Sequence, residues 1–356
     1  KTLLEAGGIG GGLGGAADLA GTRKPRPYGA PMQIQPPLLN PFSLVYGCRW
    51  DDAGERAPLV SIKVYVRGAE VAAGTDHATE ADMLTASVAA GHVDTCLAKG
   101  TFRLGSIPDG IVTADVVEGE TAADRTVAQI MDRLVQGPGG LASGEVDAAA
   151  IAALDAANDG EVGIWLTGET TVAQALDALA GTVGAWWSFD DAGIFDTRRL
   201  EAPAGTPVVT LRPGDLIDQG QAIELVPVAD EGEGVPPWRA TVRWGLHHTV
   251  QDRDGVAGSL GEDRKAALAR EWRSAVAEDS AVLTKHLKAP ELVVDSLFVH
   301  EADAAAEAAR LLALYGAERD RFRVKAPESR AGAVDLGDVV QLMAPRLGLT
   351  GGKSFL

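Results

Sequence analysis

The feature that most constrains the fold is an alternation of side-chain character between Leu59 and Val66. A period of two along a segment predicts a β-strand with one buried face. The apolar members are Val60, Ile62, Val64 and Val66, and the residues between them are Ser61, Lys63 and Tyr65. The chain therefore contains at least one sheet that must cover a core on one side.

Further short runs with strand character surround this segment. The prolines at positions 25, 27 and 31 force extended backbone before them, and one helix is predicted over Glu80–Ala90. The runs are Met32–Gln35, Ser43–Arg49, Ala69–Ala72, Asp94–Leu97, Thr101–Leu104 and Ile111–Val117. Residues 23–118 thus predict a small β-barrel or sandwich with one helix.

The pattern changes to helical spacing after Glu118. Apolar residues from Val127 to Leu134 recur every three or four positions, and two further helices are predicted from Asp147 and after Thr170 or Thr171. A strand at Val162–Leu166 and a hairpin made by Ala185–Phe189 and Ile194–Leu200 complete this stretch. Residues 119–204 therefore predict a smaller α/β domain.

Strand patterns return in residues 205–356. Helices are predicted at Glu262–Glu278 and Ala302–Tyr315. The strands are Val208–Leu211, Ala222–Val228, Arg239–Trp244, Val293–Val299, Arg321–Lys325 and Val339–Met343. The fold class is α+β, with two β-rich domains that flank the α/β domain. Residues 1–22 form a glycine-rich arm or the end of an upstream domain, and both termini are expected to be cuts through a longer chain.

The charge balance limits the partners of the chain. The 356 residues include 50 acidic and 32 basic side chains, for a net charge of −18. Sequence-independent nucleic-acid binding needs a surplus of Lys and Arg, so that role is disfavoured. An acidic wall would suit a channel through which DNA slides. No apolar run reaches the roughly 18 residues of a membrane helix, so no membrane span is expected.

The two cysteines, Cys48 and Cys96, are too few for a disulfide scaffold. We expect two reduced, partly buried thiols, although a Cys48–Cys96 bridge remains an alternative. Reduced thiols are compatible with assembly in a reducing cytoplasm.

Patterns for nucleotides and phosphate fail in detail. Gly10, Gly12 and Gly15 match the spacing of a dinucleotide loop but lack a convincing strand before them. The GGKS stretch at 351–354 has a leucine where a phosphate loop needs its first glycine. No cofactor is therefore predicted.

Metal patterns fail as well. The groups Asp252, Asp254, Gly255 and Asp155, Asp159, Gly160 lack essential calcium ligands and are interpreted as polar turns. No histidine pair has zinc spacing, and adjacent residues on extended backbone point in opposite directions. The histidines, expected in loops or at the surface, are His77, His92, His247, His248, His286 and His300. No catalytic or metal-binding residue is predicted, and we expect the chain not to be an enzyme.

Two surface features remain open. Arg319, Arg321, Arg323 and Lys325 alternate, which places four positive charges on one strand face. That face is either solvated or a rim that meets an acidic neighbouring subunit, and the second interpretation predicts salt-sensitive assembly. The Trp186-Trp187 pair is a candidate sugar platform, but alternation puts one ring on each face, so at least one is expected in the core.

Several segments resemble, in their order and spacing, the hub proteins of long-tailed bacteriophages and related particles such as prophages and gene transfer agents. The resemblance covers residues 18–349. The segments are DLAGTRKPRPYGAPMQIQPPLLNP at 18–41, LVYGCRWDD, VSIKVYVRGAEV, GTFRLGSIPDGIVTADVVEG at 100–119, TTVAQALDALAGTVGAWWSFDDAGIFDTRRLEAP at 170–203 and DLGDVVQLMAPRLGL at 335–349. This family has no catalytic residues to place on the chain.

The resemblance implies an architecture and a set of partners. Such hubs form a homotrimeric ring at the distal end of the virion tail, and each subunit has two tube-like β-barrel domains. The ring joins a hexameric tail tube or distal tail protein to tip or fibre proteins. Its lumen would pass DNA without specific binding, together with the end of the tape-measure protein. Alternatives are a tail-associated cell-wall hydrolase or carbohydrate-binding module, and a soluble enzyme with an unrecognised site.

Overall fold

The computed structural model describes Leu19 and residues 23–49, 57–217, 223–226, 235–317, 320–332 and 334–356. The predicted glycine-rich arm over residues 1–22 lies, apart from Leu19, outside the described residues. The described part is a mixed α+β fold with several separate sheets, as the sequence predicts. None of the sheets formed by the described strands closes into a barrel.

The first part of the chain forms two sheets that share one core. A five-stranded sheet has the order β2-β3-β8-β7-β6, and a three-stranded sheet has the order β5-β4-β9. Phe102 of the first sheet and Val116 of the second lie in the same buried cluster, as in a sandwich. The elements are β1 Arg26–Gly29, β2 Leu38–Asn40, β3 Val45–Gly47, β4 Leu59–Val66, β5 Ala69–Glu70, β6 Ala72–Asp76, α1 Glu80–Thr85, β7 His92–Cys96, β8 Thr101–Leu104 and β9 Val112–Glu118.

The alternating segment is a strand, but its first residues do not follow the predicted faces. Ile62 and Val64 are buried, whereas Val60 is 40% exposed. The register with β9 shifts between Leu59 and Ser61, so an irregularity moves the start of the strand to the opposite side. The predicted inward position of Val60 is therefore wrong.

The middle of the chain confirms the predicted helices and hairpin. Thr126, Asp147 and Thr171 each accept a hydrogen bond from the backbone of the helix that follows, which satisfies otherwise unpaired N–H groups. The first of these helices begins at Val127, after a short 3-10 turn over Ala122–Arg125. The elements are α2 Val127–Gln136, α3 Ala148–Ala157, β10 Gly163–Leu166, α4 Val172–Thr182, β11 Ala185–Phe189 and β12 Phe195–Arg199.

The last part contains three small sheets, with strand orders β16-β15-β17, β13-β19-β20 and β14-β18. α7 packs on the first of them through Ala304, Ala308 and Leu311. The elements are β13 Val209–Leu211, β14 Ile223–Val226, β15 Arg239–Trp244, α5 Glu262–Leu268, β16 Arg273–Glu278, α6 Ser280–Lys285, β17 Glu291–Asp295, α7 Glu301–Tyr315, β18 Arg321–Val324, α8 Glu328–Ala331, β19 Val340–Leu342 and β20 Lys353–Phe355.

Two predicted helices are longer than the observed ones. The helix expected over Glu262–Glu278 ends at Leu268, because residues 273–278 pair with β15 along six positions as strand β16. The helix expected over Glu80–Ala90 ends at Thr85. There the Arg103 guanidinium donates hydrogen bonds to the carbonyls of Met83, Leu84 and Ala86, and these contacts replace further helical bonds.

The largest core combines residues from distant parts of the sequence. It contains Tyr28 from β1, Ile130 and Leu179 from the helices, and Val242 and Phe298 from the last part. Strand β1 also forms an antiparallel pair with β10, which adds backbone hydrogen bonds to this contact. Residues from both sides of position 204, where a domain boundary was predicted, therefore share one core. The limits of the four domains remain a prediction.

A buried ionic cluster fixes the β11–β12 hairpin to α7. The Glu307 side chain is 1% exposed and accepts hydrogen bonds from Arg199 at 2.5 Å and Arg310 at 2.6 Å. Both guanidinium groups also donate to the Val183 carbonyl. Such a cluster is stable only while each charge has its counter-charge, since an unpaired buried guanidinium is costly.

We expect Glu307→Gln to lower the free energy of unfolding by about 3 kcal/mol or more, because it leaves two buried guanidinium groups short of negative charge. Urea unfolding followed by circular dichroism measures this loss. The control is Glu301→Gln at the exposed start of the same helix, where a change within about 1 kcal/mol is expected. Equal effects of the two substitutions would contradict the role given to the cluster.

Candidate assembly surfaces

The two acidic groups with calcium-like spacing have other roles in the structure. Among the described residues, no group of three His, Cys, Asp or Glu side chains could hold a metal ion. Asp155 accepts hydrogen bonds from Thr126 and from Gln129, so its carboxylate organises the start of α2. The backbone of Gly255 donates to the Asp252 carbonyl at 2.9 Å in a simple turn. The Asp252 group is therefore a polar turn, as interpreted, whereas Asp155 lies within α3 and not in a turn.

His247 and His248 lie at a junction between parts of the chain and not at the surface. His247 is 3% exposed, so the expected loop position holds but the expected exposure is wrong. Its ring lies 3.3 Å from the Arg273 guanidinium, while the His248 ring packs edge-on to Trp165. The adjacent rings thus point to different surroundings, as predicted. Burial is the main cause that lowers the pKa of each histidine to about 4.

These lowered pKa values predict an acid-sensitive junction. The unfolded chain takes up protons near pH 6.5, whereas the folded chain keeps both rings neutral until about pH 4. Stability is therefore complete above the unfolded pKa and is lost as the pH falls toward the folded value. We expect His248→Phe, which keeps an aromatic ring against Trp165, to lose less stability than the wild type between pH 7 and pH 5.

Urea unfolding at the two pH values measures that difference. His92→Phe is the matched control because His92 is exposed on β7, and its pH dependence should equal that of the wild type. The assignment of the acid sensitivity to the junction fails if all three proteins lose the same stability.

The Trp186-Trp187 pair is not an open sugar platform. The Trp187 indole donates to Asp177 at 2.9 Å, and its ring stacks on Phe195 with centroids 6.1 Å apart. Trp186 lies against Gly337, where an added Cβ would come within 2.5 Å of the ring. At least one tryptophan belongs to the core, as the alternation predicted, and neither ring is presented as a free face.

Both cysteines are free and buried, in agreement with the sequence expectation. Burial raises the pKa of both the Cys48 and the Cys96 thiol. A raised pKa keeps the thiol protonated, and the protonated form is a poor nucleophile. These residues are packing groups in the two-sheet part of the chain.

A cleft of about 630 Å³ opens where the first sheet, β10 and the segment after β15 meet. Its walls are formed by proline and aromatic side chains, among them Pro36, Tyr46 and Trp165. Of the described residues around this cleft, none is a carboxylate or a thiol. The cleft therefore lacks the paired acid and base that hydrolysis would require.

Several large apolar side chains are exposed in turns. Phe42 is 92% exposed, Leu287 86% and Ile107 84%. Phe42 is held by an ordered turn, because the Asn40 side chain accepts hydrogen bonds from the backbone N–H groups of Phe42 and Ser43. Apolar side chains that are exposed singly are common on protein surfaces, so these three do not by themselves identify an interface.

The alternating basic segment forms β18 and the residue after it. Arg321, Arg323 and Lys325 are exposed, and the Phe322 and Val324 side chains between them pack toward a small core. Arg319 lies outside the described residues. The single strand face predicted from the alternation is thus confirmed for the three described basic residues.

No helix of the described residues is long and apolar enough to cross a membrane. No protein-family model and no curated protein matches the chain. Solved structures do match. One chain of the structure described as "Virion of native gene transfer agent (GTA) particle" superposes with a TM-score of 0.55 and 17% sequence identity. The alignment covers 94% of this chain and 83% of that chain.

Two tail proteins are more distant matches. One is the tail protein from Neisseria meningitidis MC58, with 15% identity, a TM-score of 0.36 and coverage of 71% of this chain and 70% of that chain. The other is the 43 kDa tail protein of prophage MuSo2 from Shewanella oneidensis, with 16% identity, a TM-score of 0.36 and coverage of 93% and 82%. At 17% identity the gene transfer agent match shows a shared fold. The TM-scores of the two tail proteins are too low to support an inference about this chain.

Proposed function

We propose that this chain is a structural hub subunit of a phage-type tail tip. The observation that carries the proposal is the fold shared over 94% of the chain with a component of a gene transfer agent virion. In this proposal three copies form a ring at the distal end of the tail. The two β-rich parts act as tube-like barrel domains in this ring.

The ring joins a hexameric tail tube or distal tail protein to tip or fibre proteins. It forms in the cytoplasm of the bacterial host and becomes part of the virion. Its acidic lumen passes DNA and the end of the tape-measure protein without specific binding, because like charges keep the nucleic acid from adhering. The net charge of −18 supports an acidic lumen of this kind.

The alternative is a tail-associated cell-wall hydrolase or carbohydrate-binding module. The covered faces of Trp186 and Trp187 and the absence of a carboxylate among the described residues lining the cleft weigh against it. The structural role is therefore the better-supported function.

We expect the purified chain to form trimers, measured by native mass spectrometry, and three-fold rings, seen by negative-stain electron microscopy. Ring assembly buries the exposed apolar turns, so trimers should dominate as concentration rises. A peptidoglycan zymogram provides the control for the alternative, with no lysis expected. A persistent monomer, or clear lysis by this segment, would contradict the hub role.

A further inference from the structure

Charge is unevenly distributed along the chain. Residues 205–226 and 318–356, here called the small β unit, contain eight basic and eight acidic residues and are therefore neutral. The rest of the chain holds the remaining 24 basic and 42 acidic residues, which together account for the whole net charge of −18. A positively charged surface on the small β unit would therefore contrast with the net negative charge of the rest of the chain.

The geometry of β14 and β18 creates such an area. The two strands pair antiparallel, with Arg321 opposite Val226 and Arg323 opposite Glu224. Phe322 and Val324, which alternate with the arginines, join Ile223 in the core of the small β unit. The arginines therefore stand on the outer face of this two-stranded ribbon, and exposed Lys325 continues their row.

Most nearby carboxylates are already engaged away from this face. Asp320 pairs with Lys353 at 2.9 Å, Asp215 with Arg330 at 2.9 Å and Asp338 with Arg198 at 2.8 Å. Asp320 directly precedes β18, and Lys353 balances its charge.

One carboxylate faces the basic row. Glu224 lies 3.6 Å from Arg323, and both side chains are more than half exposed, at 60% and 68%. An exposed pair of this kind holds its partner weakly in water. Arg321 and Lys325 have no ion-pair partner among the residues that the structure describes. Among the described residues, the outer face therefore carries three basic side chains against one carboxylate.

Exposed apolar groups on the same unit add area that a partner could cover. Val208 is 56% exposed, Ile217 52% and Leu225 47%. The register places Leu225 opposite Phe322, on the inner face of the ribbon, so this apolar area is not part of the basic face itself. Nucleic acid fits less well, because its phosphates would also meet the strongly acidic remainder of the chain.

We propose that the outer face of the β14–β18 ribbon, formed by Arg321, Arg323 and Lys325, binds an acidic surface of a second copy of this chain. The contact is heterologous: one face of each subunit meets a different face of the next, and such contacts close into rings. The partner is assigned by charge complementarity between this basic face and the acidic remainder of a neighbouring copy. The inference rests on the proposed ring-forming function and names the interface through which that ring closes.

The test is a triple charge reversal, Arg321→Glu, Arg323→Glu and Lys325→Glu. Sedimentation velocity measures self-association of the wild type and the variant over a concentration series, at about 0.05 M and about 0.5 M salt. The wild type should associate more weakly at the higher salt. The variant should show an apparent dissociation constant raised by about tenfold or more at low salt, with little remaining salt dependence.

The matched control reverses the same number of charges elsewhere: Lys63→Glu, Lys285→Glu and Lys288→Glu, all exposed positions outside the small β unit. It should associate like the wild type apart from a small general repulsion. Thermal unfolding of all three proteins confirms that the variants remain folded. A milder variant, Arg321→Gln with Arg323→Gln, should weaken association in the same direction if the triple reversal unfolds.

The possible outcomes distinguish a failure of the ribbon contact from a failure of the proposed hub role. If rings form and the triple reversal leaves them unchanged, the ribbon contact is wrong and the hub role stands. Loss of association in both triple variants alike also overturns the contact, because the effect then follows total charge. A wild type that stays monomeric overturns both proposals. Tight, salt-sensitive binding of duplex DNA by the ribbon, with unchanged self-association, would assign the face to nucleic acid instead.

Discussion

One extended segment, residues 26–34, holds the three predicted parts of the chain together. Its first half pairs with β10 as strand β1, Met32 forms a bridge with His247, and Ile34 forms a bridge with Ala114 of β9. Prolines at positions 27 and 31 fix φ at these two residues, so less conformational entropy is lost there when the segment docks. A segment with this many partners makes the three parts of the chain cohere.

Close packing at the crossing of this segment with β10 requires two glycines. A Cβ on Gly29 would lie 2.0 Å from the Val162 carbonyl oxygen, and one on Gly163 would lie 2.4 Å from the backbone of Ala30. The buried Gln33 side chain then accepts a hydrogen bond from Thr113 and donates one to Asp115. Apolar packing alone would permit small shifts of the segment, whereas these directional bonds favour one position.

Local patterns in the sequence predicted most helices and strands but missed features that depend on distant partners. The capped helices at Thr126, Asp147 and Thr171 needed only apolar spacing and a side-chain acceptor. Residues 273–278 read as helix because their small residues suit either structure, and only pairing with β15 makes them a strand. The burial of His247 likewise follows from its bridge to Met32, which no local pattern contains.

The basic face of β18 likewise has one feature that the local sequence determines and one that depends on distant residues. Alternation in the sequence placed Arg321, Arg323 and Lys325 on one face, since a strand needs no partner to impose that geometry. Whether the face stays positive depends on where the carboxylates of the unit go. Asp320 is adjacent to Arg321 in sequence, and proximity alone would suggest that it neutralises the arginine. Its contact with Lys353 instead balances this charge, a pairing across 33 residues that no local pattern contains.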